Sequence, residues 1–231
     1  MRFLLVGAAA LSLIAGVAAA QDVGSPPAES PFRDVAFRQE LSAFTGYFSG
    51  AKGRAGVGPS GGPMAGVRYE IRIGGPAQFT FRAARAWTER VVLDPGRPEE
   101  SRELGTRPWP IHIADVGITL NLTGQKSWHN LVPVLHGGIG IATDFGKAVD
   151  TGGFDFGTPF AFTLGGGVRW VREGNLQLRL DVADYLYQLR YPDTYFIPPA
   201  NVPPILRGTS AKGDYNHNLA VTVGASYLFF R

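Results

Sequence analysis

Three observations predict an all-β chain folded as one eight-stranded antiparallel up-and-down transmembrane β-barrel. Apolar and polar residues alternate with a period of two in run after run. The connections between those runs are short and long by turns. The last run sets Leu219, Val221, Val223, Ala225, Tyr227 and Phe229 on one parity, and Asn218, Ala220, Thr222, Gly224 and Ser226 on the other. Strand side chains alternate faces, so one face is apolar and ends in aromatics while the other is small and polar. That sidedness suits a wall between lipid outside and polar groups inside.

The elements follow in order. Arg2, the apolar run Phe3 to Val17 and Ala18-Ala19-Ala20 have the layout of a secretory signal peptide over residues 1–20. The run is too short for a spanning helix, which needs roughly 20 apolar residues. Residues 21–35, polar and proline-containing as far as Pro31, are expected as a flexible periplasmic lead-in, with the barrel over 36–231. The first strand, Glu40 to Phe48, carries aromatics on both parities, so its facing stays open. In the second, Val67, Tyr69, Ile71 and Ile73 alternate with Arg68, Glu70 and Arg72; a third starts at Phe79 and Phe81. The fourth alternates Ala114, Val116, Ile118, Leu120 and Leu122 with Asp115, Gly117, Thr119 and Asn121, and the fifth covers Leu131 to Ile141. The sixth sets Phe160, Phe162, Leu164, Val168 and Trp170 against Ala161, Thr163, Gly165, Gly167 and Arg169. The seventh pairs Leu176, Leu178, Leu180 and Val182 with Gln177, Arg179 and Asp181, and the eighth is the final run.

The short connections are Gly74–Ala77, Gly124–Trp128 and Glu173–Asn175; the long ones are Gly50–Ala65, Asp94–Pro110, Thr143–Thr158 and Tyr191–Tyr215. Keeping the long loops at one end is the layout of an outer-membrane barrel, whereas a soluble barrel has no reason for it. Strict alternation sends Arg85 and Asp184 to the lipid face, where a mid-depth arginine costs about 2–4 kcal/mol. Snorkelling or a β-bulge is expected to relieve each. The chain has no cysteine, which excludes disulfides and thiolate metal sites. Its 22 basic and 19 acidic side chains are too balanced to suggest nucleic acid as a partner.

Several stretches resemble the small outer-membrane β-barrel family of the OmpA and OmpW type. They are Asp115 to Gly124, Leu131-Val132-Pro133-Val134 leading into Gly137 to Gly140, Gly165 to Arg169, and the final Tyr227-Leu228-Phe229-Phe230. The resemblance implies an eight-stranded barrel in the outer membrane, with both termini periplasmic. It also implies recognition of the last strand by the barrel-assembly machinery. Arg231 follows the aromatics where many members end on Phe, and no peptidoglycan-binding domain is expected after the barrel.

Arg68, Arg72, Arg82, Arg169 and Arg179 are expected to share the interior with Glu70, Asp115, Asp181 and His136. An eight-stranded interior is just wide enough to be filled by side chains, and buried charge must be paired. These residues therefore predict an ion-pair plug, with an anion-favouring lumen as the alternative. Two interfacial aromatic girdles are expected, Trp87, Phe160 and Phe162 at the outer end and Trp128, Trp170, Tyr227 and Phe229 at the inner end. His112, His129, His136 and His217 lack metal-ligand spacing, and His217 begins no His-x-Ser pair. Asp144, Asp150 and Asp155, among Phe145, Phe154 and Phe156, suggest solvated loop charge. The resulting expectation is a structural or interacting barrel with four outer loops, no catalytic residues, no metal and no cofactor. Its partners would be membrane lipid and lipopolysaccharide. The alternatives are a narrow pore or carrier for anionic or hydrophobic solutes, and a lipid A-modifying enzyme.

Overall fold

The computed structural model describes residues 30–35, 37–172, 174–198, 201–208 and 212–229. The expected signal peptide, the lead-in up to residue 29, and Phe230 and Arg231 lie outside the described residues. Eight strands form the wall: β1 Gln39–Ser49, β2 Gly62–Gly74, β3 Ala77–Ala86, β4 Ile111–Asn121, β5 Leu131–Thr143, β6 Phe160–Val171, β7 Leu176–Arg190 and β8 Gly213–Phe229. Each pairs antiparallel with the next, and β8 closes onto β1 from Leu219 opposite Ser49 to Phe229 opposite Gln39. A closed ladder leaves no edge strand, so the wall's backbone groups are paired within it.

The alternation read from sequence becomes sidedness. Leu41, Val67, Phe81, Val116, Ile139, Leu164, Leu180 and Val223 all project outward and are exposed, one from each strand of an apolar belt around the whole barrel. Glu40, Arg68, Arg82, Asp115, His136, Arg169, Asp181 and Thr222 are buried on the inner face of the same strands. An apolar exterior over a polar interior is the reverse of a soluble barrel and marks a transmembrane one. β1 faces inward with Glu40, Ser42, Phe44 and Phe48, which resolves the one facing the sequence leaves open.

Strand walls come closest where inward positions carry no side chain. A Cβ on Gly46 of β1 would stand 2.0 Å from the Val221 carbonyl oxygen and 2.7 Å from the Thr222 Cα of β8. Gly46→Ala is expected to push these backbones apart at the closing seam, at a cost of about 1–3 kcal/mol. Urea unfolding in phospholipid vesicles checks this; an unmoved midpoint would mean that the seam gives way freely.

Three features differ from expectation. Residues 32–35 fall within the stretch expected to be flexible; instead Phe32–Asp34 pairs antiparallel with Lys126–Trp128, and Val35 is buried. The Val35 amide donates to the Gln125 carbonyl at 2.8 Å, and its carbonyl accepts from Arg72 Nη2 at 2.8 Å. The loop after β3 contains its own hairpin, Glu89–Leu93 with Glu103–Pro108. Finally, the register runs unbroken past Arg85 and Asp184, so no bulge turns either residue inward. Both stay on the exterior, Arg85 next to the outer end of β3 and Asp184 midway along β7. The Arg85 guanidinium lies 5.5 Å from the Trp87 ring centre, while Asp184 accepts from the Asn218 amide at 3.0 Å and pairs with exposed His217 at 2.5 Å.

Candidate functional site

The barrel interior is the region where the sequence concentrates charge, and its register explains how that charge is held. Along the wall, like charges stand next to each other: Arg68 beside Arg82, Arg169 beside Arg179, and Glu40 beside Glu70. Like neighbours destabilise a sheet unless each finds an opposite partner. Here the partners come from the far wall. Glu70 on β2 reaches Arg169 on β6 and Arg179 Nη1 on β7, the latter at 2.8 Å. Arg68 on β2 reaches Asp181 on β7 at 2.9 Å. Two pairs are local: Arg179 Nε lies 2.8 Å from Asp181 on its own strand, and Arg82 Nε and Nη2 grip Asp115 on the next strand at 2.9 and 3.1 Å. This fork-on-carboxylate geometry is the strong form of the contact.

Neutral groups complete the network. Thr80 and Thr119 hydroxyls donate to Glu70 at 3.1 and 2.9 Å, and Gln78 Oε1 accepts from Arg169 at 2.7 Å. His136 Nε2 sits 3.0 Å from Arg82 and 3.4 Å from Asp115. Glu40, whose strand faces either way in the sequence, lies 3.3 Å from Arg169. Arg72 stands apart from these pairs: half-buried at the inner end, it lies 5.1 Å from the Phe37 ring and bonds the Val35 carbonyl. With Glu40 present and Arg72 outside, Arg68, Arg82, Arg169 and Arg179 meet Glu40, Glu70, Asp115 and Asp181. The four-to-four balance appears only once the folded structure moves Arg72 out and brings Glu40 in.

Apolar layers lie on both sides of this network. At the inner end Val35 and Phe37, from the chain before β1, pack with Val132, Val134 and Leu228. The Phe37 ring also lies 5.8 Å from the Arg169 guanidinium. At the outer end Phe44, Phe48, Met64, Ile113, Tyr185 and Tyr187 form an aromatic-rich layer on the wall. The long connections fold down onto it. Val57 comes from residues 50–61, Phe154 and Phe156 from 144–159, and Tyr195 and Leu206 from 191–212; all five are buried.

These outer connections are tied together by charge. The Arg90 side chain is fully buried, 4.2 Å from the Trp109 ring centre and 4.8 Å from that of Phe154, with Nη2 2.6 Å from Asp150. Trp109 Nε1 donates to Asp144 at 3.1 Å, and Arg102 Nη2 donates to the Pro203 carbonyl at 2.6 Å. Burial pushes the Tyr195 phenol up from its ordinary pKa. It lowers that of the Lys147 ammonium, which lies 4.6 Å from the Trp109 ring centre. The expectation of solvated loop charge is corrected for Asp144 and Asp150: an arginine on another loop and an indole N–H give them buried partners. Phe145 alone among the three loop phenylalanines is exposed.

The residues expected to form the girdles project outward. Trp87, Phe160 and Phe162 are exposed at the outer end, and Trp128, Trp170 and Tyr227 at the inner end. Half-buried Phe229 stacks between Tyr69 and Tyr227, each 6.3 Å away. Trp128 sits on the short Lys126–Trp128 strand rather than on the wall itself.

No family model matches the chain, and no curated protein matches it. Among solved structures it is similar to Neisserial surface protein A, at 15% identity and TM-score 0.46, over 87% of this chain and 98% of that one. It is similar to a major outer membrane protein from Thermus thermophilus, at 13% identity and TM-score 0.42, over 84% and 100%. It is also similar to the outer membrane protein Ail of Yersinia pestis, at 11% identity and TM-score 0.38, over 82% and 99%.

Proposed function

We propose that this chain is an integral outer-membrane barrel with a closed lumen, acting in envelope structure and in contacts made through its outer loops. The observation that carries the reading is the stacking of three layers inside one wall: an apolar seal, a cross-lumen ion-pair network and an aromatic cap. A solute path would have to break all three. The exterior belt and its girdles suit lipid, with lipopolysaccharide around the outer end and periplasmic-leaflet lipid around the inner end. The last strand, apolar and aromatic outward, is the segment offered to the assembly machinery.

Two measurements test this. Gel mobility of the outer-membrane fraction, unheated against boiled, is expected to shift, because a closed barrel resists detergent until heated. Planar-bilayer recording is expected to give no unitary conductance, and Arg169→Gln should leave the protein silent while weakening it. A reproducible conductance that Arg169→Gln reshapes would replace the plug with the pore reading. Release of acyl chains from labelled lipopolysaccharide would overturn the non-enzymatic one.

A further inference from the structure

At the outer end a notch of about 490 Å³ opens between the 144–159 connection and the ends of β7 and β8. Small-molecule sites span roughly 300–1,000 Å³, so its size is that of a ligand pocket. Buried neighbours hold it in shape. Phe154 and Phe156 both point into the cap, so Asp155 between them is turned out into the notch. Phe156 packs edge-on against Tyr187 at 5.7 Å, and the next residue of β7, Gln188, faces the notch. Gln188 stands opposite Tyr215 in register, with Phe160 at the same level on β6 and Arg190 one step nearer the loops. Gly213, opposite Arg190, leaves room for the Gln188 amide: a Cβ there would come within 3.0 Å of Nε2.

Four polar side chains in this notch are uncommitted. Asp155, Gln188, Arg190 and Tyr215 make no side-chain hydrogen bond or ion pair among the described residues. Carboxylate and guanidinium share the notch without closing on each other. Elsewhere at the outer end such groups do pair, Arg90 with Asp150 and Lys212 with Asp193. Beside them Phe160 and Tyr215 are both exposed, which leaves aromatic faces open.

This set suits a sugar. A carboxylate accepts, a guanidinium donates, and an amide or phenol does both, so adjacent hydroxyls of one ring can all be answered. The C–H face of a pyranose is electropositive and lies well on the negative face of an aromatic ring. One acid against one base gives no net charge to favour an ion. We propose that the notch binds one neutral pyranose ring, stacked on Tyr215 and held through its hydroxyls by Asp155, Gln188 and Arg190. The ring can come from the sugar chains of surface lipopolysaccharide or from a soluble saccharide. The inference rests on the reading of the outer loops as a contact surface.

Saturation-transfer NMR of the protein in phosphatidylcholine nanodiscs tests it, with the methyl glycosides of glucose, galactose, mannose and N-acetylglucosamine as probes. At least one is expected to take up saturation on the hydrogens of one ring face, with a saturable dose dependence. Asp155→Ala should weaken that glycoside about tenfold, the loss of one charged hydrogen bond. Tyr215→Ala should abolish the one-face pattern. Both changes are at exposed positions, and the gel-mobility shift should persist in both. No saturation of any of the four by wild type, or unchanged binding in the folded variants, would overturn the proposal. So would binding of phosphoethanolamine in place of the glycosides, which would assign Asp155 and Arg190 to a zwitterion. Nanodiscs that carry lipopolysaccharide identify the source, and either result there supports a pyranose site: displaced glycoside means that the membrane's own sugar chains fill the notch, retained glycoside that it takes soluble saccharide. Failure of the barrel reading is distinguishable, since it would show as loss of the mobility shift in wild type itself.

Discussion

Replacing Glu70 with alanine is expected to destabilise the barrel by about 3–5 kcal/mol, the cost of stranding buried charge. Glu70 is the one carboxylate that Arg169 and Arg179 both reach from the far wall, and it also accepts from Thr80 and Thr119. Its removal leaves two guanidiniums side by side with Glu40 and Asp181 as their remaining partners. Glu70→Gln should recover part of the loss, because its amide oxygen still accepts from the threonines. Glu70→Ala/Arg169→Ala should cost less than the sum of the single changes, since the double variant strands less charge. Urea unfolding in phospholipid vesicles gives each value. A Glu70→Ala midpoint within experimental error of wild type would mean that the cross-lumen pairs hold nothing together. No conductance is expected from any of these variants, since the layers above and below the network remain.

How much of this is legible in the sequence differs by layer. The wall is legible because β-strand sidedness is written locally, in residues two apart: Arg169 and Trp170 face opposite ways whatever lies across the lumen. The inward set Arg68, Glu70, Arg82, Asp115, Arg169, Arg179 and Asp181 follows from the same parity. What parity cannot supply is a partner, because Arg68 and Asp181 are far apart in the chain and meet only when the barrel closes. Glu40 escapes the sequence because Leu41, Phe44, Tyr47 and Phe48 put bulk on both faces of β1, and only closure against β8 chooses between them. Phe37, Phe154 and Arg90 escape it for another reason. They belong to connections with no period of two, where an apolar residue among Gly and Pro looks the same whether it is solvated or folded into a cap.

That cap carries the second large effect. Arg90→Ala is expected to loosen the outer loops while leaving the wall intact. The change removes the partner of the Asp150 carboxylate, itself largely buried, and the cation between Trp109 and Phe154. Losing one member of a buried pair costs about 3–5 kcal/mol, which raises the population of the open loops by about two to nearly four orders of magnitude. Limited proteolysis of protein in vesicles, sampled from the loop side, should show new cleavage within residues 87–110 and 144–159. The boiled-against-unheated mobility shift should persist, because the β1–β8 ladder does not pass through Arg90. Arg90→Lys keeps the charge but lacks the flat guanidinium that can lie against two rings at once, so intermediate protection is expected. The separation of readouts decides whether cap and wall are distinct units. Should Arg90→Ala lower the urea midpoint as far as Glu70→Ala does, the loops would be part of the barrel's cooperative core. Should it leave cleavage unchanged, the cap would be held by its apolar contacts alone, with Val57, Phe154, Phe156 and Tyr195 sufficient to keep the loops down.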